Sequence, residues 1–226
     1  MPLLIILLLI CAVMAFGPQL WVRRTMAQHA ADRPDLPGTG GELARHLLDE
    51  AGLHNIGVES TPSGNHYDPT TRVVRLTPEN HDGRSITAVA VAAHEVSHAL
   101  QHSAGDRLLA GRVTLARWVQ RVERANLVQM LLAPLAMAFS PRLILLQIAI
   151  AVAVLGSRLV LHLVTLPVEF DASFGRALPI LERGRYLQSV DLPAARSVLR
   201  AAALTYVAAA LATLLDATRL IRAFRV

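Results

Sequence analysis

The chain has 226 residues, of which 53% are hydrophobic and only 17% are charged. Soluble domains usually carry roughly 25% charged residues, so this composition indicates a membrane protein and excludes disorder, collagen and a solvated coiled coil. The formal net charge is +5, but all 22 basic residues are scattered arginines, and aromatic residues make up only 4%. Neither a basic face nor a stacking surface for nucleic acid is indicated, so no nucleic-acid partner is expected.

The N-terminal segment predicts a membrane anchor. Residues 1–22 are apolar and uncharged from Pro2 to Val22, which is long enough for a helix that crosses a bilayer. A cleaved signal peptide is the alternative, but no charged segment precedes the apolar run. Arg23 and Arg24 follow at once and predict that the next region is cytoplasmic. The single cysteine, Cys11, excludes an intrachain disulfide and a thiolate metal cluster.

Residues 23–125 are expected to form a cytoplasmic region of helices and short strands. Its capping, strand and breaker signals predict the following elements in chain order: a linker at Ala27–Pro37, a helix begun by the capping box Thr39–Glu42 and ended near Gly52, strands at Ile56–Glu59 and Thr71–Thr77, a helix at Ser85–His102 stopped by Gly105, and an amphipathic helix at Asp106–Ala125.

The second half of the chain is mostly apolar. Residues 126–168 contain two apolar segments, Leu127–Phe139 and Leu143–Val168, that are separated by a turn at Ser140–Arg142 and predict a helical hairpin through the membrane. In residues 169–226, the segment Ala194–Leu215 predicts a fourth membrane helix or a helix packed on the protein. We expect residues 169–226 to pack with residues 23–125 as one domain.

The predicted helix at Ser85–His102 carries the sequence HEVSH at residues 94–98. Residues four apart lie on one helix face, so the imidazoles of His94 and His98 can bind one metal ion. Glu95 lies about 100° further round the helix, where its carboxylate can reach a water on the metal. Imidazole ligands with an open position for water suit Zn²⁺.

A catalytic zinc site needs a third protein ligand. The position ten residues after His94, where one protease pattern has a histidine, is Ala104. His102 lies two turns along the same face, too far to share the ion, and is expected to be a surface or supporting residue. The remaining candidates are two carboxylates of a later segment, Glu169 and Asp171.

Five motifs follow one another in an order that resembles the bacterial YugP-like neutral zinc metallopeptidases, which are multi-pass membrane proteins. They are HYDP at 66–69, VRL at 74–76, AVAAHEVSHALQ at 90–101, TLPVEFDAS at 165–173 and ALTYVAAA at 203–210. The chain departs from that family at Ser97, where Gly is usual, and at Asp171, where Asn is common. The resemblance implies a mainly α, multi-pass membrane protein with a zincin-like metalloprotease core and a small β element.

The segment from Glu169 to Ser173 is also similar to the E-x-x-A-D element of the HtpX and CAAX-prenyl-endopeptidase group. That resemblance implies that Glu169 is the third zinc ligand, with Ser173 in the place of a supporting Asp. Topology agrees, because Glu169 can meet His94 and His98 only if the chain crosses the membrane an even number of times between them. Two apolar segments lie in that interval.

Other polar residues are weaker candidates for the site. Tyr67, His66 and Tyr206 could each stabilise the oxyanion or contact substrate, and Asp68 is expected to be a turn residue. The strand at Thr71–Thr77 is expected to offer a sheet edge to an extended peptide.

A polar stripe marks the second predicted hairpin helix. Arg158, His162, Thr165 and Glu169 fall on one helix face, and ionisable groups in membrane helices usually face a protein interior. The alternatives are that Arg158 extends to the interface or that Pro167 breaks the register.

The sequence therefore predicts an integral zinc endopeptidase of the bacterial plasma membrane that cuts protein substrates at the cytoplasmic face. Its zinc would be held by His94, His98 and Glu169, with Glu95 as the base. One alternative is an intramembrane protease of the site-2 type, with Asp216 as third ligand. The other is a zinc-stabilised membrane scaffold without proteolytic activity. The sequence predicts neither the particular substrate nor the oligomeric state.

Overall fold

A computed structural model describes residues 2–140 and 143–223 of the chain. The side chains of Cys11 and Asp216, and the whole of Arg142, lie outside the described part. The described elements follow in chain order: α1 (Pro2–Gln28), α2 (Gly40–Glu50), β1 (Gly57–Ser60), β2 (His66–Asp68), β3 (Val73–Leu76), α3 (Pro78–His81), α4 (Ile86–Ser103), α5 (Arg107–Phe139), α6 (Leu143–Phe170), a π-helical segment (Asp171–Ala177), α7 (Leu178–Arg183) and α8 (Leu192–Ala223).

Helix α4 lies at the centre of the fold. It packs against α2, the sheet, the π-helical segment and α8, and nearly all of its residues are buried. Ser85 caps its first turn, because the Ser85 hydroxyl oxygen accepts a hydrogen bond from the Ala88 amide. After its last turn, Gly105 takes a φ of +66°, a conformation that favours glycine. The helix predicted at Ser85–His102 is confirmed.

Helix α2 begins with the predicted capping box. The Glu42 amide donates to the Thr39 hydroxyl at 3.2 Å, and the Thr39 amide donates to the Glu42 carboxylate at 2.8 Å. The buried residues of α2 face α4, and Leu47 and Leu48 join the core there. This packing fixes one side of the central helix.

The three strands form one small sheet in the order β1–β3–β2. Strand β3 pairs in parallel with β1 and antiparallel with β2, with Val74 opposite both Val58 and Tyr67. The expectation that Thr71–Thr77 offers a sheet edge is therefore wrong, because β3 is the central strand. The edge strand β2 has only three residues, too few for an alternating pattern to reveal it in the sequence.

Helices α5 and α6 form the antiparallel hairpin that the apolar segments indicated. The amphipathic and apolar segments predicted on either side of Asn126 are one continuous helix, α5. No glycine or proline stands at this junction, so the change from amphipathic to apolar residues does not interrupt the backbone hydrogen bonds. An ion pair between Glu123 of α5 and Arg158 of α6 joins the two helices.

Helix α6 continues through Pro167 to Phe170, so the register of the polar stripe is kept. The chain then passes without a break into the π-helical segment Asp171–Ala177 and α7. Helix α8 packs against both α6 and α1 and begins where the polar stretch after α7 ends. The C-terminal end of α6, with Val168 and Glu169, thereby lies beside α4.

Two helices within the described residues are long and apolar enough to cross a membrane, judged by length and composition alone. They are Leu145–Arg183, which includes α6 from its third residue onward, and Leu192–Leu211 in α8. The described part of the chain is thus mainly helical, with one small sheet and two candidate membrane helices.

Candidate metal centre

A group of three buried side chains joins α4 to α6. The carboxylate oxygen Oε2 of Glu169 lies 3.1 Å from Nε2 of His94 and 3.4 Å from Nε2 of His98. One potential ligand atom from each residue lies within 4.8 Å of the others. The helical spacing of the two histidines and the return of the hairpin therefore bring together a set that can hold a metal ion.

The tautomer of His94 is set by a hydroxyl. Ser173 donates its hydroxyl hydrogen to the Leu199 carbonyl at 3.1 Å, and its oxygen lies 3.1 Å from Nδ1 of His94. Because the single hydroxyl hydrogen is used, the Ser173 oxygen accepts the Nδ1–H of His94. The lone pair of Nε2 is then directed towards Glu169. Ser173 has the supporting position that the sequence comparison implied.

The tautomer of His98 is set by an amide that the sequence analysis missed. The NH₂ group of Gln101 donates to the Val168 carbonyl at 3.0 Å and to Asp171 at 2.8 Å. Its carbonyl oxygen must therefore face Nδ1 of His98, 2.9 Å away, and accept the Nδ1–H. This again leaves Nε2 free to bind a metal.

Asp171 supports the group from outside. It accepts hydrogen bonds from Gln101 and, at 2.8 Å, from Arg176, and it does not belong to the group of ligand atoms around the two histidines. Of the two carboxylates that the sequence left open as third ligand, only Glu169 faces the histidines. Gln101 is three residues after His98, on the same helix face, and that spacing was the only signal for it in the sequence.

The charge of Glu169 is shared between the histidines and an arginine. Burial alone would lower the pKa of His98. Without a metal, the protonated ring can donate Nε2–H to Glu169, and this hydrogen bond and the negative charge of Glu169 outweigh burial and raise the pKa. On the other side, the guanidinium of Arg112 lies 3.5 Å from Oε1 of Glu169. Arg112 also donates to the Tyr206 hydroxyl and lies over the Tyr206 ring. Sequence reasoning did not single out Arg112, because its partners lie on other helices.

A cleft of about 230 Å³ opens onto the histidines and Glu169. Glu95 lines this cleft and is almost fully buried, and no group in the described part of the chain donates a hydrogen bond to its carboxylate. The other walls come from α1, the segment before and within β2, and α8, and include Met26, His66, Tyr67 and Tyr206.

The remaining candidates lie at different distances from the centre. The ring of Tyr67 lines the cleft, but its hydroxyl shares a hydrogen bond of 2.8 Å with His102, which supports the expectation that His102 is not a ligand. Nδ1 of His66 bonds to the Gly64 carbonyl. The rings of His162 and Tyr206 lie 6.1 Å apart, and the buried Nδ1 of His162 has no hydrogen-bond partner among the described residues.

These residues fit Zn²⁺. Two imidazoles and one carboxylate are the protein ligands of many catalytic zinc sites, which leave a fourth position open. The hydrogen bonds to Nδ1 of both histidines are the outer contacts that zinc-binding histidines usually make. The fit rests on donor chemistry and on the two fixed tautomers, both of which direct Nε2 to the same point.

Comparison with known proteins agrees with this chemistry. The sequence profile of the family described as "Putative neutral zinc metallopeptidase" matches residues 4–225. The chain therefore belongs to that zinc metallopeptidase family. Among curated proteins, it is 36% identical over 225 residues to "Putative membrane protease YugP" of Bacillus subtilis (strain 168), a match that covers 98% of this chain and 96% of that protein. No solved structure matches the chain.

Proposed function

We propose that the protein is an integral membrane zinc endopeptidase with its active site at the cytoplasmic face of a bacterial plasma membrane. The observation that carries the proposal is the meeting of Glu169 with the two α4 histidines in a cleft that the buried Glu95 also lines. Structural zinc sites are closed by four protein ligands and need no base, whereas this group has three ligands and a base at an open cleft.

Peptide hydrolysis needs an activated water and a proton for the leaving nitrogen. Zinc, when bound, supplies the Lewis acidity that lowers the pKa of a water and polarises the scissile carbonyl. Glu95 is placed to accept one proton from the attacking water and then to deliver it to the leaving amine nitrogen. With the peptide C–N bond broken and the second proton of the water also passed to the nitrogen, one product carries the new carboxylate and the other carries a protonated amine.

Tyr206 is the best placed candidate to stabilise the oxyanion. Its hydroxyl oxygen accepts a hydrogen bond from Arg112, so the hydroxyl hydrogen is free to donate to a developing negative charge in the cleft. Tyr67 is less suitable, because its hydroxyl is already bonded to His102.

We propose that an extended substrate binds beside β2 rather than β3. β2 is an edge strand, and His66 and Tyr67 of this strand line the cleft. An edge strand offers backbone groups to an extended peptide of any sequence, which suits an endopeptidase.

The cytoplasmic placement rests on the distribution of arginines. Arg23 and Arg24 lie before the catalytic region, and Arg117, Arg121 and Arg124 lie after it, whereas the hairpin turn carries only Arg142. Helix α1, the α5–α6 hairpin and α8 would then provide the membrane part of a multi-pass protein.

The proposal is tested with Glu95→Gln, which keeps the shape of the side chain but cannot accept a proton at neutral pH. Purified wild-type and variant protein in detergent are incubated with a mixture of membrane proteins, with and without a zinc chelator. New peptide N-termini are identified by mass spectrometry, and bound zinc is measured. We expect zinc-dependent cleavage by the wild-type protein and none by the variant, at equal zinc content.

Three results would contradict the proposal in different ways. Cleavage by Glu95→Gln would remove Glu95 from the mechanism, and loss of zinc from that variant would make Glu95 a ligand or a structural residue. A wild-type protein that binds zinc fully and cuts nothing would favour the membrane scaffold.

A further inference from the structure

We propose that Arg112 is a positioning residue that restricts Glu169 to one metal-facing oxygen and so keeps a coordination position open for water and substrate. The inference rests on the proposed zinc centre and concerns how that centre is kept reactive. It arises from the two different environments of the Glu169 oxygens.

The two carboxylate oxygens of Glu169 have separate partners. Oε2 lies 3.1 Å and 3.4 Å from the Nε2 atoms of His94 and His98, whereas Oε1 lies 3.5 Å from the guanidinium of Arg112. A carboxylate can give a metal one oxygen or both. A cation beside Oε1 stabilises negative charge on that oxygen and favours an arrangement in which only Oε2 faces the metal.

Arg112 is itself held in place. Its guanidinium donates to the Tyr206 hydroxyl and lies 5.3 Å from the centre of the Tyr206 ring. Helices α5 and α8 both pack on α6. The contact between Arg112 and Tyr206 joins α5 to α8 next to Glu169, the ligand that α6 supplies. An arginine stays charged at any pH that the protein meets, so the restraint on Oε1 does not switch off.

The restraint on Glu169 affects how many coordination positions of the metal stay open. Two histidines and one carboxylate oxygen make three ligand atoms, which leaves the fourth position of a tetrahedral zinc site for water. If Oε1 also turned to the metal, it would occupy space that water or the scissile carbonyl needs. Arg112 thus acts through Glu169.

A purely structural ion pair is the competing explanation. In that case, loss of Arg112 would lower stability without changing the arrangement of metal ligands. The two explanations differ in the spectrum of the metal, which a packing role alone does not change.

The experiment uses full-length protein in detergent with Co²⁺ in place of zinc. The visible absorption of Co²⁺ is stronger in four-coordinate than in five-coordinate sites. We compare wild-type protein with Arg112→Gln and Arg112→Lys. Arg117→Gln is the control, because it removes an exposed arginine from the same helix. Zinc affinity is measured in parallel by chelator competition.

We expect four-coordinate spectra from wild-type protein and from Arg117→Gln. Arg112→Gln should give a weaker spectrum of higher coordination, with zinc affinity changed by about 10–100-fold, the usual effect of losing an outer partner. Arg112→Lys keeps the charge without the planar fork and should fall between them.

A wild-type spectrum in Arg112→Gln would overturn the inference while leaving the zinc centre intact. If Arg112→Gln does not fold, Arg112→Met, which keeps an extended side chain without the charge, takes its place, and a spectrum identical with that of wild type again overturns the inference. Failure of the wild-type protein to bind Co²⁺ or zinc would overturn the proposed metal centre itself, and the inference with it.

Discussion

Gln101 holds three parts of the site together through one amide. Its oxygen accepts from His98, and its nitrogen donates to Val168 and Asp171. Gln101→Leu keeps much of the side-chain volume but leaves Nδ1 of His98 without its acceptor. We expect zinc affinity to fall about 10–100-fold, measured by chelator competition. Ser103→Ala, two residues later, removes only a local hydrogen bond within the same helix and should bind zinc as wild type does.

Glu169 and Asp171 are close in sequence but should differ sharply in their effect on zinc. Glu169 faces both histidines, whereas Asp171 reaches the site only through Gln101. Glu169→Ala should empty the site at chelator concentrations that Asp171→Ala tolerates, as measured by residual zinc. Asp216→Ala should retain zinc. The reverse order, with Asp216→Ala empty and Glu169→Ala loaded, would favour the intramembrane protease of the site-2 type.

Asp68 of the edge strand β2 forms an ion pair with Arg75 of β3. Burial alone would raise its pKa, but hydrogen bonds from the Thr71 hydroxyl, the Thr70 amide and Arg75 outweigh burial and hold the pKa well below its usual range. The stabilisation is therefore present above about pH 4, the ordinary pKa of an aspartate, and is lost as the pH falls through the lower pKa of the folded protein.

We expect Asp68→Asn to cost about 1–3 kcal/mol of stability at pH 7. Thermal unfolding in detergent should show a lower melting temperature for the variant at pH 7 and a smaller difference from wild type as the pH is lowered below 4. A difference that stays constant with pH would mean that the Asp68 charge does not stabilise the fold.

Much of the metal centre could be predicted from sequence, because its central residues lie at fixed helical spacings. The pair His94 and His98 follows from the period of one helix, and Glu169 from a second motif together with the even number of apolar segments. Gln101 and Arg112 gave no comparable signal. Their partners lie on α6 and α8, and a single sequence does not tell which helices pack together.

Helix α2 approaches the central helix at a glycine. A Cβ added to Gly40 would overlap the carbonyl oxygen of Asn80 and lie 2.9 Å from that of Ala88 in α4. Because both neighbours are backbone atoms, Gly40→Ala should force α2 away from α4 and cost about 1–3 kcal/mol. Thermal unfolding measures the loss. Gly111→Ala, at a position in α5 with open space around it, should be neutral or slightly stabilising.

The elements were predicted well where a helix carries its own boundary signals and less well elsewhere. Ser85 and Gly105 delimit α4 in the sequence as in the structure. The boundary expected near Asn126 was wrong, because it rested on a change in polarity rather than on a helix breaker. Strand β2 forms only by pairing with β3, so its three residues carry too little pattern to be recognised alone.

Hydrogen bonds attach the N-terminal helix to the central helix α4. The Thr87 hydroxyl donates to the Met26 carbonyl at 2.8 Å, and the Thr87 amide donates to the His29 carbonyl, so the end of α1 is fixed to the start of α4. Met26 also lines the cleft. The end of the N-terminal helix is therefore part of the wall of the cleft.

Membrane orientation can be tested with single cysteines in a Cys11→Ser background. Ser60→Cys lies in the catalytic region and should react with a membrane-impermeant maleimide only after the cells are opened. Ser140→Cys, at the hairpin turn, should react in intact cells. The opposite pattern would put the catalytic region outside the cytoplasm, and labelling of both sites in intact cells would exclude a spanning hairpin.

The ligands of the metal centre are separated by 75 residues between His94 and Glu169, and the hairpin lies in that interval. During synthesis, His94, Glu95 and His98 are therefore added to the chain well before Glu169. Metal binding that needs all three groups is coupled to folding, so the growing chain cannot assemble the centre until both arms of the hairpin are made and Glu169 has returned to α4. On the proposed function, the protein therefore stays inactive at least until Glu169 has been synthesised and the hairpin has formed.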